Sequence, residues 1–377
     1  MANQPNVQNG YLVLADLSGF TRFVASTELE HAQGILANLL RLLRSHLTPT
    51  LTLAEVEGDA LFLFAHSDRI ARGETLLELI ESTYIAFRDA QETMKRNATC
   101  PCQACQVMPT LDLKFVTHCG EYVLQDVTGA AKPFGSPVNL AHRLLKNRVT
   151  DLTGWNAYAL FTEDALQRMC VRPEGMFSES VSYEHLGELS IGALDLQNRY
   201  RELTAVRSVH LPADQAHFTL RRRFATSPAR LWDYLNDLHK RGLWEIGSDW
   251  SALQRPGGRT GSGTHNHCAA SEFIEEVLDW RPFDYFTVRW KRGIVRLLIT
   301  AELHADGDNT DLRWSIAMEG TAPRLLRAVL CRFLAVRLVR APERFERLHR
   351  MVLSDVAQER AEMESASLTH GRNGGFT

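Results

Sequence analysis

Residues 12–21 read LVLADLSGFT, an apolar run that closes on an aspartate and a Ser-Gly turn. Such a run fits a strand buried within a sheet, yet a carboxylate taken out of water must be paired, bound to metal or neutralised. Three roles are therefore open to Asp16: helix N-cap, partner in a core salt bridge, or metal ligand. Each needs a particular group from elsewhere in the chain, so this short segment restricts the fold more than any other.

The neighbouring segments supply the elements. YLVLA (11–15) reads as the buried strand, and the helix after it carries its leucines, from Leu29 to Leu47, mostly on one stripe. LAEVEGDALFLFA (53–65) splits about Gly58-Asp59 into a hairpin. A second long helix is expected over about 72–95, and TLDLKFVTHCGEYVLQDV (110–127) is expected to break at Cys119-Gly120 into a second hairpin. PVNLAHRLLKN (137–147) is a helix led by proline, and AYALFTEDALQRM (157–169) is a strand followed by a helix capped by Thr162. This order describes one mixed α+β sandwich over residues 10–206. A linker is expected at 207–216, a second domain at 217–362 and a disordered tail at 363–377. In a chain of 377 residues with 45% hydrophobic and 23% charged content, there is material for both cores.

Charge and cysteine usage exclude several classes. A net charge of −3 gives no reason to expect a nucleic-acid partner. The opening MANQPNVQNG has neither a basic nor an apolar signal region, and no apolar run is long enough for a membrane span. Seven cysteines, three of them within six residues, argue against a secreted disulfide framework and for a reduced, cytoplasmic setting.

Asp59, at the tip of the first hairpin, is a second acidic turn. If adjacent antiparallel strands bring it beside Asp16, the two carboxylates can share a divalent ion that holds nucleotide phosphates. In FGSPVNLAHRL, Asn139 and Arg143 lie four apart on one helix face. An amide and a fork-shaped cation on one face suit ribose and phosphoryl oxygens.

Together these residues resemble the class III nucleotidyl (adenylate/guanylate) cyclase catalytic domain, a sandwich derived from the ferredoxin-like fold. The motif Asp16-Leu17-Ser18-Gly19-Phe20-Thr21, the tip Gly58-Asp59-Ala60 and the run from Phe134 to Leu144 occur in the family's order. The resemblance covers about residues 10–205. It implies that Asp16 and Asp59, with the carbonyl of Leu17, bind two Mg²⁺ or Mn²⁺ ions. It also implies that Asn139 orients the ribose and Arg143 stabilises the pentavalent phosphorus. Phe20, Thr21 and the base-reading positions Glu55 and Lys132 would face the nucleoside triphosphate. The two halves of each site would come from different protomers of a head-to-tail homodimer. The product would be a 3′,5′-cyclic nucleotide, with release of pyrophosphate. At the base-reading positions the charges are inverted, since the family has lysine where Glu55 stands and an acidic residue or threonine where Lys132 stands. That inversion suits either an ion pair between the two or a pocket of different base preference. The triphosphate-binding lysine expected after LGEL is absent, which admits a catalytically silent binding module as the alternative. HRLLKN, the cysteine cluster and LKFVTHCGEY also resemble a bacterial cyclase-like family of unknown function.

Cys100, Cys102 and Cys105 form C-x-C-x₂-C. A structural zinc with Cys119 or His118 as the fourth ligand, a redox pair of Cys102 and Cys105, and a plain loop are the readings open to it. Zinc here would clip the end of the second helix to the hairpin expected at 110–127.

Beyond the linker, the order of a helix, a run of antiparallel strands and a long C-terminal helix resembles the START-like (SRPBCC, polyketide-cyclase-like) helix-grip fold. Its opening matches HFTLRRRFATSPARLWDYLNDL, and its central strands match EFIEEVLDWRPFDYFTVRW. That fold implies a cavity for an apolar small molecule or lipid, which would regulate the first domain. Trp232, Trp244, Trp250, Trp280, Trp290 and Trp314 are candidates for its wall or for plain core. His265 and His267 alternate on one strand, as a two-ligand metal pair or as polar side chains at the surface or in the pocket. The last helix, about 322–362, is expected to lay Leu325, Val329, Phe333, Val336 and Leu338 beneath a solvated arginine face.

Overall fold

The computed structural model describes residues 7–70, 72–97, 102–126, 131–183, 187–204, 209–245 and 247–371. The chain divides into two compact units: Met1–Ala205 with Gly257–Arg259, and Val206–Pro256 with Thr260–Thr377.

The first unit runs β1 (Val7–Ser18), α1 (Phe20–Ala25), α2 (Leu29–Leu47), β2 (Thr52–Glu57), β3 (Ala60–His66) and α3 (Gly73–Asn97). It continues through α4 (Gln103–Val107), β4 (Asp112–Asp126), β5 (Ala131–Phe134), α5 (Ser136–Leu144), α6 (Val149–Thr153) and β6 (Tyr158–Thr162). It closes with α7 (Glu163–Met169), β7 (Phe177–Tyr183), β8 (Gly187–Asp195) and α8 (Leu196–Thr204). The sheet order is β2-β3-β1-β4-β6-β8-β7, with β5 paired to β4. Only the β4–β6 pair is parallel among the described strands. This is the α+β cyclase-like sandwich expected from the sequence.

β1 lies inside this sheet between β3 and β4, and residues Tyr11 to Ala15 are buried. Leu12 and Leu14 pack with Phe62, Phe64, Val116, Ala141 and Leu144 on one face, while Tyr11, Val13 and Ala15 are buried on the other. Burial on both faces is why the segment is continuously apolar instead of alternating. A Cβ on Gly10 would fall 2.1 Å from the carbonyl oxygen of Ala65, so only glycine lets β1 and β3 approach this closely.

The second hairpin expected at Cys119-Gly120 does not form there. β4 is one continuous strand of 15 residues, and Gly120 faces Gly10 across the ladder. A Cβ at Gly120 would lie 2.7 Å from Pro137 at the start of α5. The glycine makes room for a helix and does not turn the chain. The reversal comes later, where β4 pairs with β5 from Val123↔Phe134 to Asp126↔Ala131. Thr162 caps α7 as expected, accepting the Ala165 N–H at 3.3 Å.

The second unit runs β9 (Phe218–Phe224), α9 (Pro228–Asn236), α10 (Leu238–Trp244), β10 (Trp250–Gln254), β11 (His265–Cys268), β12 (Phe273–Arg281) and β13 (Tyr285–Arg292). β14 (Val295–Asp306), β15 (Asn309–Met318), α11 (Arg324–Phe333) and α12 (Ala341–Gly371) follow. Its antiparallel sheet has the order β10-β11-β12-β13-β14-β15-β9. Phe345, Leu348 and Val352 of α12 join the sheet's inner face in one core, the helix-grip arrangement. All six candidate tryptophans belong to this core cluster. Trp232 meets Trp280 and Phe286 edge-on, and Trp314 meets Phe345. A charged network threads the same core. Arg241 donates two bonds to Glu275 and one to Glu245, and Arg344 also reaches Glu245.

The expected single C-terminal helix is broken. A π-helical turn spans Leu334–Leu338, and Arg340 takes a left-handed backbone with φ 53°. The phase change presents the small residues Cys331, Ala335 and Ala341 to the core. Leu325, Val329 and Phe333 are left 83%, 68% and 62% exposed, not buried beneath the arginines. α12 also continues to Gly371, past the expected end at 362. Among the described residues, no helix is long and apolar enough to cross a membrane.

The contact at Gly10 generates the first prediction. Gly10→Ala should destabilise the first unit by about 2 kcal/mol or more, because rigid backbone must move to admit one methyl. Amide hydrogen exchange along β1 and β3 would register the loss. Unchanged protection there would contradict the packing described.

Candidate functional site

β1 and β3 pair from Gly10↔His66 to Asp16↔Ala60. Asp59, immediately before Ala60, therefore stands beside Asp16 at the open end of the ladder. Gly58, with φ 64°, makes the turn that allows this. Leu17 is buried, and its N–H reaches the Asp59 carbonyl at 3.4 Å.

Of the three roles open to Asp16, capping falls away, because the N-cap of α1 is Gly19 and no side chain caps it. Of the other two, the salt bridge is present. Lys114 lies directly opposite Asp16 on β4, and its Nζ is 2.9 Å from Asp16 Oδ2. Sequence reasoning did not single out Lys114; its signal was a lone cation in the alternating run LDLKFV. Burial, reinforced by the negative charge of Asp16, pushes the Asp59 carboxyl up to about 6. Two adjacent hard oxygen donors, one of them reluctant to ionise beside the other, form a donor set that fits Mg²⁺ or Mn²⁺.

Phe20 and Thr21 open α1, the first half-buried and the second exposed. Glu55 and Lys132 pair with each other at 2.8 Å. Of the two readings of their inverted charges, the ion pair is present. Nearby, His142 Nδ1 lies 3.4 Å from Glu57 and its ring meets Phe62 edge-on. Asn139 and Arg143 are both exposed on α5, one turn apart.

The cysteine cluster departs from its expected partners. His118 Nδ1 is 2.9 Å from the Thr162 hydroxyl, and Cys119 Sγ lies 3.6 Å from Asn9 Oδ1. Both sit within β4, paired across β1 with Leu12 and Tyr11. The group that draws together is instead His31, Cys102 and Cys105. Cys100 lies outside the described residues. His31 carried no sequence signal, because it is 71 residues from Cys102. In the second unit, His265 Nδ1 is 3.0 Å from the Gly263 carbonyl, and Asn266 between the histidines is buried on Glu275.

A protein family of unknown function, DUF2652, matches residues 36–153. The family described as polyketide cyclase/dehydrase and lipid transport matches residues 215–350. An uncharacterized protein of Mycobacterium tuberculosis is 35% identical over 100 residues, 26% of this chain. The match spans 45% of that relative's length. Among solved structures, the guanylyl cyclase Cya2 is similar at 16% identity, covering 50% of this chain and 92% of its own, with a TM-score of 0.38. The adenylyl cyclase CyaB from P. aeruginosa is similar at 15% identity, covering 51% and 97%, with a TM-score of 0.36. Protein MLL2253 from Mesorhizobium loti is similar at 20% identity, covering 37% and 96%, with a TM-score of 0.29. The assignment of the fold class rests on strand order and register. By that class the chain joins a cyclase-like α+β sandwich to a helix-grip domain.

The raised Asp59 carboxyl has a stability consequence. The folded chain holds this proton up to about pH 6, whereas the unfolded chain releases it near the ordinary value of 3.8. Stability contributed here is therefore lost as pH rises between those values, and the cost is fully present above about 6. In metal-free protein, Asp59→Asn should raise stability by about 1 kcal/mol at pH 7.5 and by nothing near pH 4. Thermal denaturation in EDTA across that range checks the sign.

Proposed function

We propose that the first unit is a metal-dependent nucleotide-binding module that converts a nucleoside triphosphate to a 3′,5′-cyclic nucleotide and pyrophosphate. The observation that carries this reading is the placement of Asp16 and Asp59 side by side, with Asp59 held up to about 6. Asp16 and Asp59 would hold two Mg²⁺ or Mn²⁺ ions, which neutralise phosphate charge and make the ribose hydroxyl easier to ionise. Lys114 keeps Asp16 oriented and limits the local negative charge when metal is absent. The exposed face of α5 supports the head-to-tail homodimer: Asn139 and Arg143 face outward, where a second copy's aspartates can meet them. Arg143 would then spread its guanidinium over the phosphoryl oxygens as the 3′-oxygen attacks and pyrophosphate leaves, while Asn139 orients the ribose.

A specific observation favours a second reading. The Glu55–Lys132 pair joins the two base-reading positions to each other, which suits a module that binds nucleotide or a partner without turnover. In the second unit the match to the polyketide cyclase/dehydrase and lipid transport family supports an apolar small molecule or lipid as ligand. A cleft of about 410 Å³ in that unit, lined in part by Leu211, Leu298, Met318, Glu319, Arg324 and Arg327, is a candidate site, with two arginines that suit an acidic end on such a molecule.

Mass analysis of products from all four nucleoside triphosphates with Mn²⁺ separates the readings. Turnover should disappear in Asp59→Ala, fall by about 10²–10³-fold in Arg143→Ala, and change base preference in Glu55→Lys/Lys132→Glu. Absence of any cyclic product, with Mn²⁺-dependent nucleotide binding intact and lost in Asp16→Ala, would replace catalysis by the silent module.

A further inference from the structure

We propose that His31, Cys102 and Cys105 form a structural zinc site that ties the start of α2 to α4. His31 lies in the first turn of α2, Cys102 is the N-cap of α4, and Cys105 sits three residues further on. Their ligand atoms all lie within 4.8 Å of one another, and His31 Nδ1 is 3.0 Å from Cys102 Sγ. Tetrahedral zinc, with bonds of about 2.0–2.1 Å to nitrogen and about 2.3 Å to sulfur, holds its ligand atoms roughly 3.5–3.8 Å apart. The cluster need adjust only slightly to close round the ion.

Groups that are not ligands already hold this arrangement. The two carboxylate oxygens of Glu28, the N-cap residue of α2, accept the N–H groups of Gln103 and Ala104 at 3.1 and 3.0 Å. Gln91 of α3 donates to the carbonyls of Met108 and Leu111, just after α4, at 3.2 and 2.9 Å. Ala104 and Met108 are buried and anchor the backbone that carries the two sulfurs. The donor positions are thus fixed from α2 and α3 independently of any ion, the preorganisation a tight metal site needs.

Two thiolates and an imidazole are donors for zinc, whereas the paired carboxylates of Asp16 and Asp59 suit hard cations. The two sites therefore discriminate between ions by donor chemistry. His31 is exposed and both cysteines are half-buried, so the ion enters from solvent. The fourth coordination position lies outside these three residues. The clip joins α4 to α2, not to β4 as the sequence suggested. It does not depend on nucleotide chemistry, and its test reads no turnover.

The full-length chain, purified reduced with zinc and freed of excess by gel filtration, should carry about one zinc per chain. Exchange with Co²⁺ should give a thiolate-to-cobalt charge-transfer band. His31→Ala and Cys105→Ser should each lose most of the metal with far-UV circular dichroism unchanged, whereas His31→Cys and Cys119→Ser should retain it. Background zinc in the wild-type chain, full retention in His31→Ala, or a Cys102–Cys105 disulfide formed in preference to zinc binding would each overturn the assignment.

Discussion

The two ladders of β1 carry the first unit. A strand buried on both faces must satisfy every backbone N–H and C=O through its neighbours, and β1 does so against β3 and β4 along most of its length. Side chains alternate across a sheet, so a slip of one residue would turn Asp16 to the other face. The register is held by close contact as well as by hydrogen bonds, because Gly10 leaves no space beside Ala65. Everything at the candidate site follows from that register: Lys114 opposite Asp16, Asp59 at the next turn, and the packing of α5 over Leu12 and Leu14.

Electrostatics then divides the site into two halves. The half at Asp16 and Asp59 keeps one carboxylate balanced by Lys114 and leaves the other reluctant to ionise. In the other half, Glu55 and Lys132 satisfy each other as an ion pair. The second unit uses charge differently. Arg241, Glu245, Glu275 and Arg344 are buried together, and the indoles of Trp250 and Trp290 donate to the two glutamates. Removing one member would strand an uncompensated charge in the core, so such a network orients its aromatic neighbours strongly even where its net contribution to stability is small.

Legibility in the sequence followed the range of the interaction. The hairpin tip at Gly58-Asp59, the Thr162 cap and the proline-led α5 depend on residues a few positions apart, and all appear where expected. Gly120 misled because a glycine that admits a neighbouring helix looks the same in sequence as one that turns the chain. The C-terminal helix misled for a related reason: its apolar stripe fits one helix, but the π turn and the left-handed Arg340 shift the phase midway. Lys114 and His31 were invisible because each acquires its role from a partner distant in the chain.

By itself the sequence determined the two apolar frameworks, the acidic turns at Asp16 and Asp59, the Asn139–Arg143 spacing and a cysteine cluster in need of partners. These are local properties of composition, periodicity and turn chemistry. Which groups would meet was decided only by the tertiary structure. The pairing of β1 chose Lys114 for Asp16, the packing of α2 against α4 chose His31 for the cysteines, and the approach of β5 to β2 joined Lys132 to Glu55. Charges and ligand atoms act over a few ångströms of space whatever their separation along the chain, and the fold alone supplies that distance.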